Sequence, residues 1–202
     1  MRTGVLGGTF DPPHAGHLRM ARLAQVQLGL DRVLFVPCHA QPLKDTRPSA
    51  SPFHRAAMVA LALASKPGWL LETAELERGG ISYTAETLEA LAALSPRDRL
   101  VLIMGSDSLL TFPSWRRQSD IQALAGLAIV PRGGPLDLPQ GVDPRRVHLL
   151  QARPLRVSST LVRERLRRHE SVTGLVPRAV AAYIERQGLY GPARRKTLRR
   201  ND

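Results

Sequence analysis

The sequence predicts an α/β protein built on a doubly wound, mostly parallel sheet. Three observations lead there. Short apolar runs recur at residues 4–6, 32–36, 69–72, 99–104, 127–130 and 147–150. Helix-period patterns lie between many of them. A glycine-bearing turn, GGTFDPPHAGH at residues 7–17, follows the first run and opens the first helical pattern.

The runs at 4–6, 32–36 and 99–104 are nearly continuous in apolar residues, as strands buried on both faces are. After the first run, Leu18, Ala21, Ala24 and Leu28 recur at steps of three and four, one face of a helix. Ala57, Leu61 and Ala64 repeat that spacing before the run at 69–72, and Thr84, Leu88 and Leu91 repeat it before 99–104. The Pro/Gly-rich stretch 131–144 reads as a surface loop. Two late helices follow, over 159–168 and over 177–187, the second with Pro177 at its start and Gly188 just past its end. Strands alternating with helices under right-handed crossovers give a parallel sheet covered on both sides. Ligands of such sheets bind beyond the carboxyl ends of the strands, where GGTFDPPHAGH falls.

With 202 residues, 43% of them hydrophobic, the chain suffices for one sizeable domain. We expect that domain over residues 1–191 and a basic, disordered tail over 192–202, PARRKTLRRND. No apolar run reaches the roughly 18 residues of a membrane span. The opening MRTGVLGG is too short in apolar residues for a secretory signal, and the single Cys38 forms no internal disulfide, so a cytoplasmic setting is expected. The net charge of +12 raises nucleic acid as a partner. However, aromatics are only 4% and are not interleaved with the basic residues, which disfavours a base-stacking platform. A basic surface around anionic small molecules is preferred. Residues 150–202 hold 13 Arg or Lys against four Asp or Glu, so they carry +9 of the charge.

Four stretches can carry chemistry. In the turn, Gly7 and Gly8 allow a ligand close to the backbone, Thr9 offers a hydroxyl, and His14 and His17 can each donate to a phosphate oxygen. The helix that follows is expected to aim its unpaired N–H groups at the same spot. HAGH lacks further Cys or His ligands nearby for zinc, and neither GxxxxGK(S/T) nor GxGxxG occurs. ISYT at 81–84 reads as a β-run or a helix cap ending in Thr84. GSDSLLTFPSW at 105–115 puts Gly105 and Asp107 at a strand's end, suited to ribose hydroxyls, with Trp115 able to stack on a flat ring or to fill a core. VSSTLVR at 157–163 sets Ser158, Ser159 and Thr160 at a helix start with Arg163 one turn later, a polyphosphate cradle or an ordinary cap on a basic helix.

Taken together, these strings resemble one family. GGTFDPPHAGH is similar to the (H/T)xGH motif of nucleotidyltransferases, and in its longer form to that of bacterial nicotinate-nucleotide adenylyltransferases. ISYT, GSDSLLTFPSW and VSSTLVR resemble that family's later motifs and occur in its order. The likeness runs through nearly all of residues 4–190, down to the ending QGLY. It departs at Leu43, where the family often has His, next to a matching Lys44.

The resemblance implies a Rossmann-like nucleotidyltransferase fold and adenylyl transfer from ATP, with Mg²⁺, to nicotinate mononucleotide, giving deamido-NAD and pyrophosphate. Gly7, Gly8, Thr9, Phe10, His14, His17, Gly105, Asp107, Ser158, Ser159, Thr160 and Arg163 are then the ATP contacts, with His14, His17 and Arg163 catalytic. Thr9, Lys44, Tyr83, Thr84 and Trp115 are the mononucleotide contacts, and no protein-held metal is implied. A phosphopantetheine adenylyltransferase, a nucleic-acid binder on a degenerate transferase fold and a non-catalytic nucleotide sensor are the rivals. Whether the chain forms a homo-oligomer is left open by its sequence.

Overall fold

The computed structural model describes residues 1–41, 48–133, 136–153 and 156–191. The strands are β1 (Arg2–Gly8), β2 (Arg32–Pro37), β3 (Trp69–Leu71), β4 (Arg99–Gly105), β5 (Ala125–Val130) and β6 (Val147–Leu149). The helices are α1 (Ala15–Leu28), α2 (Pro52–Leu63), α3 (Ala74–Arg78), α4 (Thr84–Leu94), α5 (Ser106–Thr111), α6 (Gln118–Leu124), α7 (Ser159–Arg167) and α8 (Arg178–Gln187). Among the described residues the six strands form one sheet, all pairs parallel, in the order β3-β2-β1-β4-β5-β6. The chain works outward from β1 to one edge, then returns to β4 and works outward to the other. The winding direction therefore switches between β1 and β4, the place where such sheets take ligands.

Strand parity divides the core. Val5, Leu34, Leu102 and Leu127 face the side covered by α4, α5 and α6 through Leu88, Leu109 and Ile121. Their chain neighbours Leu6, Val33, Val101 and Ala128 face α1 and α2 through Ala21, Ala24 and Val59. Both faces are thus apolar, which is why the strands show no polar alternation in the sequence. A third apolar group joins α2, α7 and α8 through Met58, Val162, Val180 and Ile184.

All six expected strands are present, and so are the helices anchored on Leu18, Ala57, Thr84, Ser159 and Pro177. Pro177 caps α8 and Gly188 ends it in the left-handed region at φ 62°. Three helices have no counterpart in the sequence pattern. Those are α3, α5 and α6, of five, six and seven residues. So short a helix shows barely one turn of its period, and packing against the sheet decides it rather than propensity. The tail 192–202 and Lys44 lie outside the described residues.

Gly4 marks a tight place in the middle of the sheet. A Cβ there would lie 2.8 Å from Leu30 Cδ1 and 2.9 Å from Ile103 Cδ1. Gly4→Ala is expected to destabilise the protein by about 1–3 kcal/mol through overpacking. In urea unfolding this should appear as a lower midpoint at unchanged slope, whereas an unchanged midpoint would show that the two side-chain tips yield freely.

Candidate functional site

β1 and β4 pair only as far as Val5 and Leu102, yet they run on to Gly8 and Gly105. The two strands therefore part at their carboxyl ends and leave a crevice at the switch point. Gly7 is exposed there, one residue before the end of β1, and a Cβ on it would meet nothing within 4 Å. Internal packing does not require this glycine; the bare backbone leaves room for something outside the protein.

The turn after β1 is rigid. Phe10 takes a left-handed backbone, φ 50°, and its ring is buried, edge-on to His17 at 4.8 Å and tilted against Phe35. Phe10 as a whole is buried, so its ring serves packing beneath the turn. The Asp11–Pro12 peptide is cis. His14 then caps α1, its Nδ1 accepting the Gly16 N–H at 3.1 Å, while the His14 N–H donates to His17 Nδ1 at 3.2 Å. The two imidazoles stack at 3.8 Å between centroids. Because each Nδ1 accepts from the backbone, the ring proton of each neutral imidazole sits on Nε2. Gly16 makes room for this: a Cβ on it would come 2.9 Å from the His14 ring and 3.0 Å from Val157 Cγ1. Burial, with the charge of Arg132 adding to it, lowers the His14 pKa from 6.5 to about 4. His14 is thus a neutral donor at physiological pH.

One expectation is corrected. The first N–H groups of α1 are not open to a ligand. Ala15 N–H donates to the Leu175 carbonyl, Gly16 N–H to the His14 ring, and His17 and Leu18 N–H to the His14 carbonyl. The His14 ring takes one of these groups and backbone carbonyls take the others, so the turn offers ring protons and the helix dipole instead.

The start of α7 lies against the same turn. Ser159 Oγ donates to the Pro12 carbonyl at 2.9 Å, and Arg163 Nη1 donates to the Asp11 carbonyl at 2.7 Å. Ser158 Oγ accepts the Leu161 N–H, closing the cap. Both serine hydroxyls are therefore engaged within the protein. Helix geometry leaves the N–H groups of Ser159 and Thr160 without intrahelical acceptors. Thr160 Oγ1 accepts from Arg163 Nη2 at 3.3 Å and retains its own proton to donate.

At the end of β4, Asp107 is exposed and pairs with Arg132 at 3.2 Å, while the Arg132 N–H donates to Ser106 Oγ. A Cβ on Gly105 would crowd the side chains of both Asp107 and Arg132. An ion pair so open to water is worth at most about 1 kcal/mol, so a ribose diol can take the carboxylate from it readily. Beside it, Gly16, Arg19, Arg132, Arg153 and Val157 line a notch, setting three guanidinium groups around the turn.

The remaining candidates make a second group. Tyr83 precedes α4 and Thr84 begins it; the Tyr83 ring lies 4.5 Å from the Arg116 guanidinium. Trp115 is half-buried, edge-on to Phe112, with its indole N–H donating to Thr111 Oγ1. The segment before α4 is tied to the loop after β2, since His39 N–H donates to Ser82 Oγ and Ser82 N–H to the Ala40 carbonyl.

Three residues that the sequence reading gave no role are prominent. Arg55 of α2 is fully buried and donates to the carbonyls of Thr9, Cys38 and His39, fixing the ends of β1 and β2 together. Its signal was a lone charge within an otherwise apolar helix. Arg132 follows β5 at a strand's carboxyl end, a position that itself marks it. Asp11 sits inside the turn motif, and its burial shows only in the fold. Among the described residues no cluster of three or more His, Cys, Asp or Glu could hold a metal, and no helix is long and apolar enough to cross a membrane.

Residues 5–165 match the model of the cytidylyltransferase-like family. A probable nicotinate-nucleotide adenylyltransferase of Herpetosiphon aurantiacus is 43% identical over 94% of this chain and 98% of its own. The nicotinate-nucleotide adenylyltransferase of Bacillus subtilis is 36% identical over 94% of this chain and 98% of its own. The structure of Plasmodium falciparum nicotinic acid mononucleotide adenylyltransferase complexed with NaAD superposes with a TM-score of 0.74 at 18% identity, covering 94% of this chain and 97% of that one, a likeness of fold.

His14 gives a direct test of the buried cap. The unfolded chain takes up its proton near pH 6.5 and the folded chain only near 4, so this group stabilises the fold above 6.5 and loses that contribution as pH falls toward 4. NMR titration should find the His14 ring neutral down to about pH 4, and His14→Asn should flatten the loss of stability between 6.5 and 4. A His14 midpoint near 6.5 would contradict the buried, neutral cap.

Proposed function

The chain belongs to the nicotinate-nucleotide adenylyltransferases within the cytidylyltransferase-like family, and from that premise we propose how its own residues carry out adenylyl transfer. It is a nucleotidyltransferase. In the proposed reaction the 5′-phosphate oxygen of nicotinate mononucleotide forms a bond to the α-phosphorus of MgATP while the bond to the β-phosphate oxygen breaks. Deamido-NAD and magnesium pyrophosphate leave. The attacking phosphate is already an anion, so no protein nucleophile is required, and the protein contributes placement and charge stabilisation. Mg²⁺ would arrive with the triphosphate, whose oxygens together with water are its preferred ligands.

The observation that carries this reading is the joining of α7 to the His14 turn through Ser159 and Arg163. It supports a single nucleotide lying across both. The His14 and His17 Nε2 protons then donate to α-phosphate oxygens as negative charge builds there. Arg163, the Thr160 hydroxyl and the N–H groups of Ser159 and Thr160 hold the leaving pyrophosphate. Gly7, Gly8 and Thr9 admit the phosphates close to the backbone. Asp107 releases Arg132 to accept the ribose hydroxyls beside Gly105. Trp115 stacks on the pyridine ring, with Tyr83 and Thr84 beside it, and Lys44 is a further contact of the mononucleotide. The notch of arginines draws in two polyanions. The single Cys38 suits the reducing cytoplasm in which we place the reaction.

With ATP and nicotinate mononucleotide, purified protein should release pyrophosphate, and His17→Ala should lower turnover by roughly 10²-fold or more while melting as wild type does. Release with phosphopantetheine in place of the mononucleotide would overturn the substrate assignment. Near-normal turnover by His17→Ala would remove the imidazole from the chemistry.

A further inference from the structure

The ending QGLY, at residues 187–190, has no part in the chemistry described so far, yet it reaches the centre of the site. After α8 the chain turns sharply. Leu189 N–H donates to the Ile184 carbonyl, and Tyr190 takes a left-handed backbone at φ 63°, uncommon for an aromatic residue. That conformation brings the phenol inward, where its hydroxyl donates to Asp11 Oδ1 at 2.7 Å. The Asp11 side chain has few other partners. Its Oδ1 also accepts the Ala50 N–H at 3.0 Å, and Oδ2 accepts the Ser49 N–H at 2.7 Å and lies 3.9 Å from Arg163 Nη1. Asp11 is 4% exposed, so water does not replace a lost donor freely.

The same residue holds the site from its backbone. The Asp11 carbonyl anchors Arg163, and the next carbonyl, Pro12, anchors Ser159. Whatever orients the Asp11 carboxylate therefore orients the peptide that sets the guanidinium. Burial and the adjacent carboxylate hold the Tyr190 hydroxyl in its protonated form, well above the ordinary phenol range, so it stays a donor at every physiological pH.

We propose that Tyr190 is a positioning residue for phosphate transfer, acting on Arg163 through the buried carboxylate of Asp11. The proposal rests on the adenylyl-transfer reading for its catalytic consequence and on geometry alone for its consequence in ATP binding. Removing the phenol oxygen leaves Asp11 short of one donor, loosens the turn and lets the guanidinium drift from the β- and γ-phosphates. Networks of this kind show coupling that falls away once the common partner is gone.

The test is a double-mutant cycle on the full-length protein with Tyr190→Phe and Arg163→Ala. MgATP affinity is read by calorimetry, and kcat and KM by pyrophosphate release. Tyr190→Phe should weaken MgATP and lower kcat by about tenfold each, leave KM for nicotinate mononucleotide near wild type, and change neither by more than about twofold in the Arg163→Ala background. Equal losses in the two backgrounds, or a lower melting temperature with unchanged affinity and kcat, would reduce Tyr190 to a packing residue and overturn the proposal. If wild type binds MgATP without transferring adenylate, the affinity cycle decides the proposal alone and the function reading fails separately. Should Tyr190→Phe not fold, Asp11→Asn enters the same cycle and must show the same dependence on Arg163.

Discussion

Two hydrogen bonds join parts of the chain 147 and 152 residues apart: Ser159 Oγ to the Pro12 carbonyl and Arg163 Nη1 to the Asp11 carbonyl. Without them the imidazole pair and the start of α7 would be two separate phosphate-friendly features on one surface. With them, these features lie side by side on one turn. The second bond has a cationic donor, and it meets a carbonyl in a turn whose aspartate is shielded from water, conditions under which such a bond is strong.

The sheet provides the space that the turn fills. Parallel pairing between β1 and β4 stops at Val5 and Leu102 because the chain must leave β1 for one side and β4 for the other. Behind the opening, Arg55 ties the Thr9 carbonyl, just past β1, to the Cys38 and His39 carbonyls that follow β2. The crevice is therefore bounded by fixed backbone on the β2 side and by an exchangeable ion pair, Asp107 with Arg132, on the β5 side. A rigid wall facing a yielding one fits a site that must hold reacting phosphates still and yet admit and release nucleotides.

Much of this was legible in the residues. Apolar runs with no alternation gave the two-sided sheet, and the order of motifs gave the family. His14, His17, Ser159 and Arg163 stood out as candidates from their types and spacing, and the fold brings them to one turn. What stayed hidden depended on contacts distant in sequence. Nothing in FDPP shows that Asp11 meets Tyr190, 179 residues away. No spacing shows that the His14 ring would take the Gly16 N–H and the distant Leu175 carbonyl the Ala15 N–H, since the first depends on ring rotation and on Gly16 leaving room, and the second on a contact far along the chain. The short helices α3, α5 and α6 escaped for want of a full period. Phe10 reads as part of a ligand loop, and its ring proves to be the floor beneath His17.

The capping bonds set the electronic state of the site as well as its shape. Both Nδ1 atoms accept backbone N–H groups, so a ring proton on each imidazole lies on Nε2 and the turn presents two hydrogen-bond donors. A crystal structure with a non-hydrolysable ATP analogue and Mg²⁺ tests the convergence most directly. The account requires both Nε2 atoms at hydrogen-bond distance from α-phosphate oxygens, and Arg163 with the Ser159 and Thr160 N–H groups on the β- and γ-phosphates of the same molecule. A triphosphate bound to only one of these two groups would contradict it.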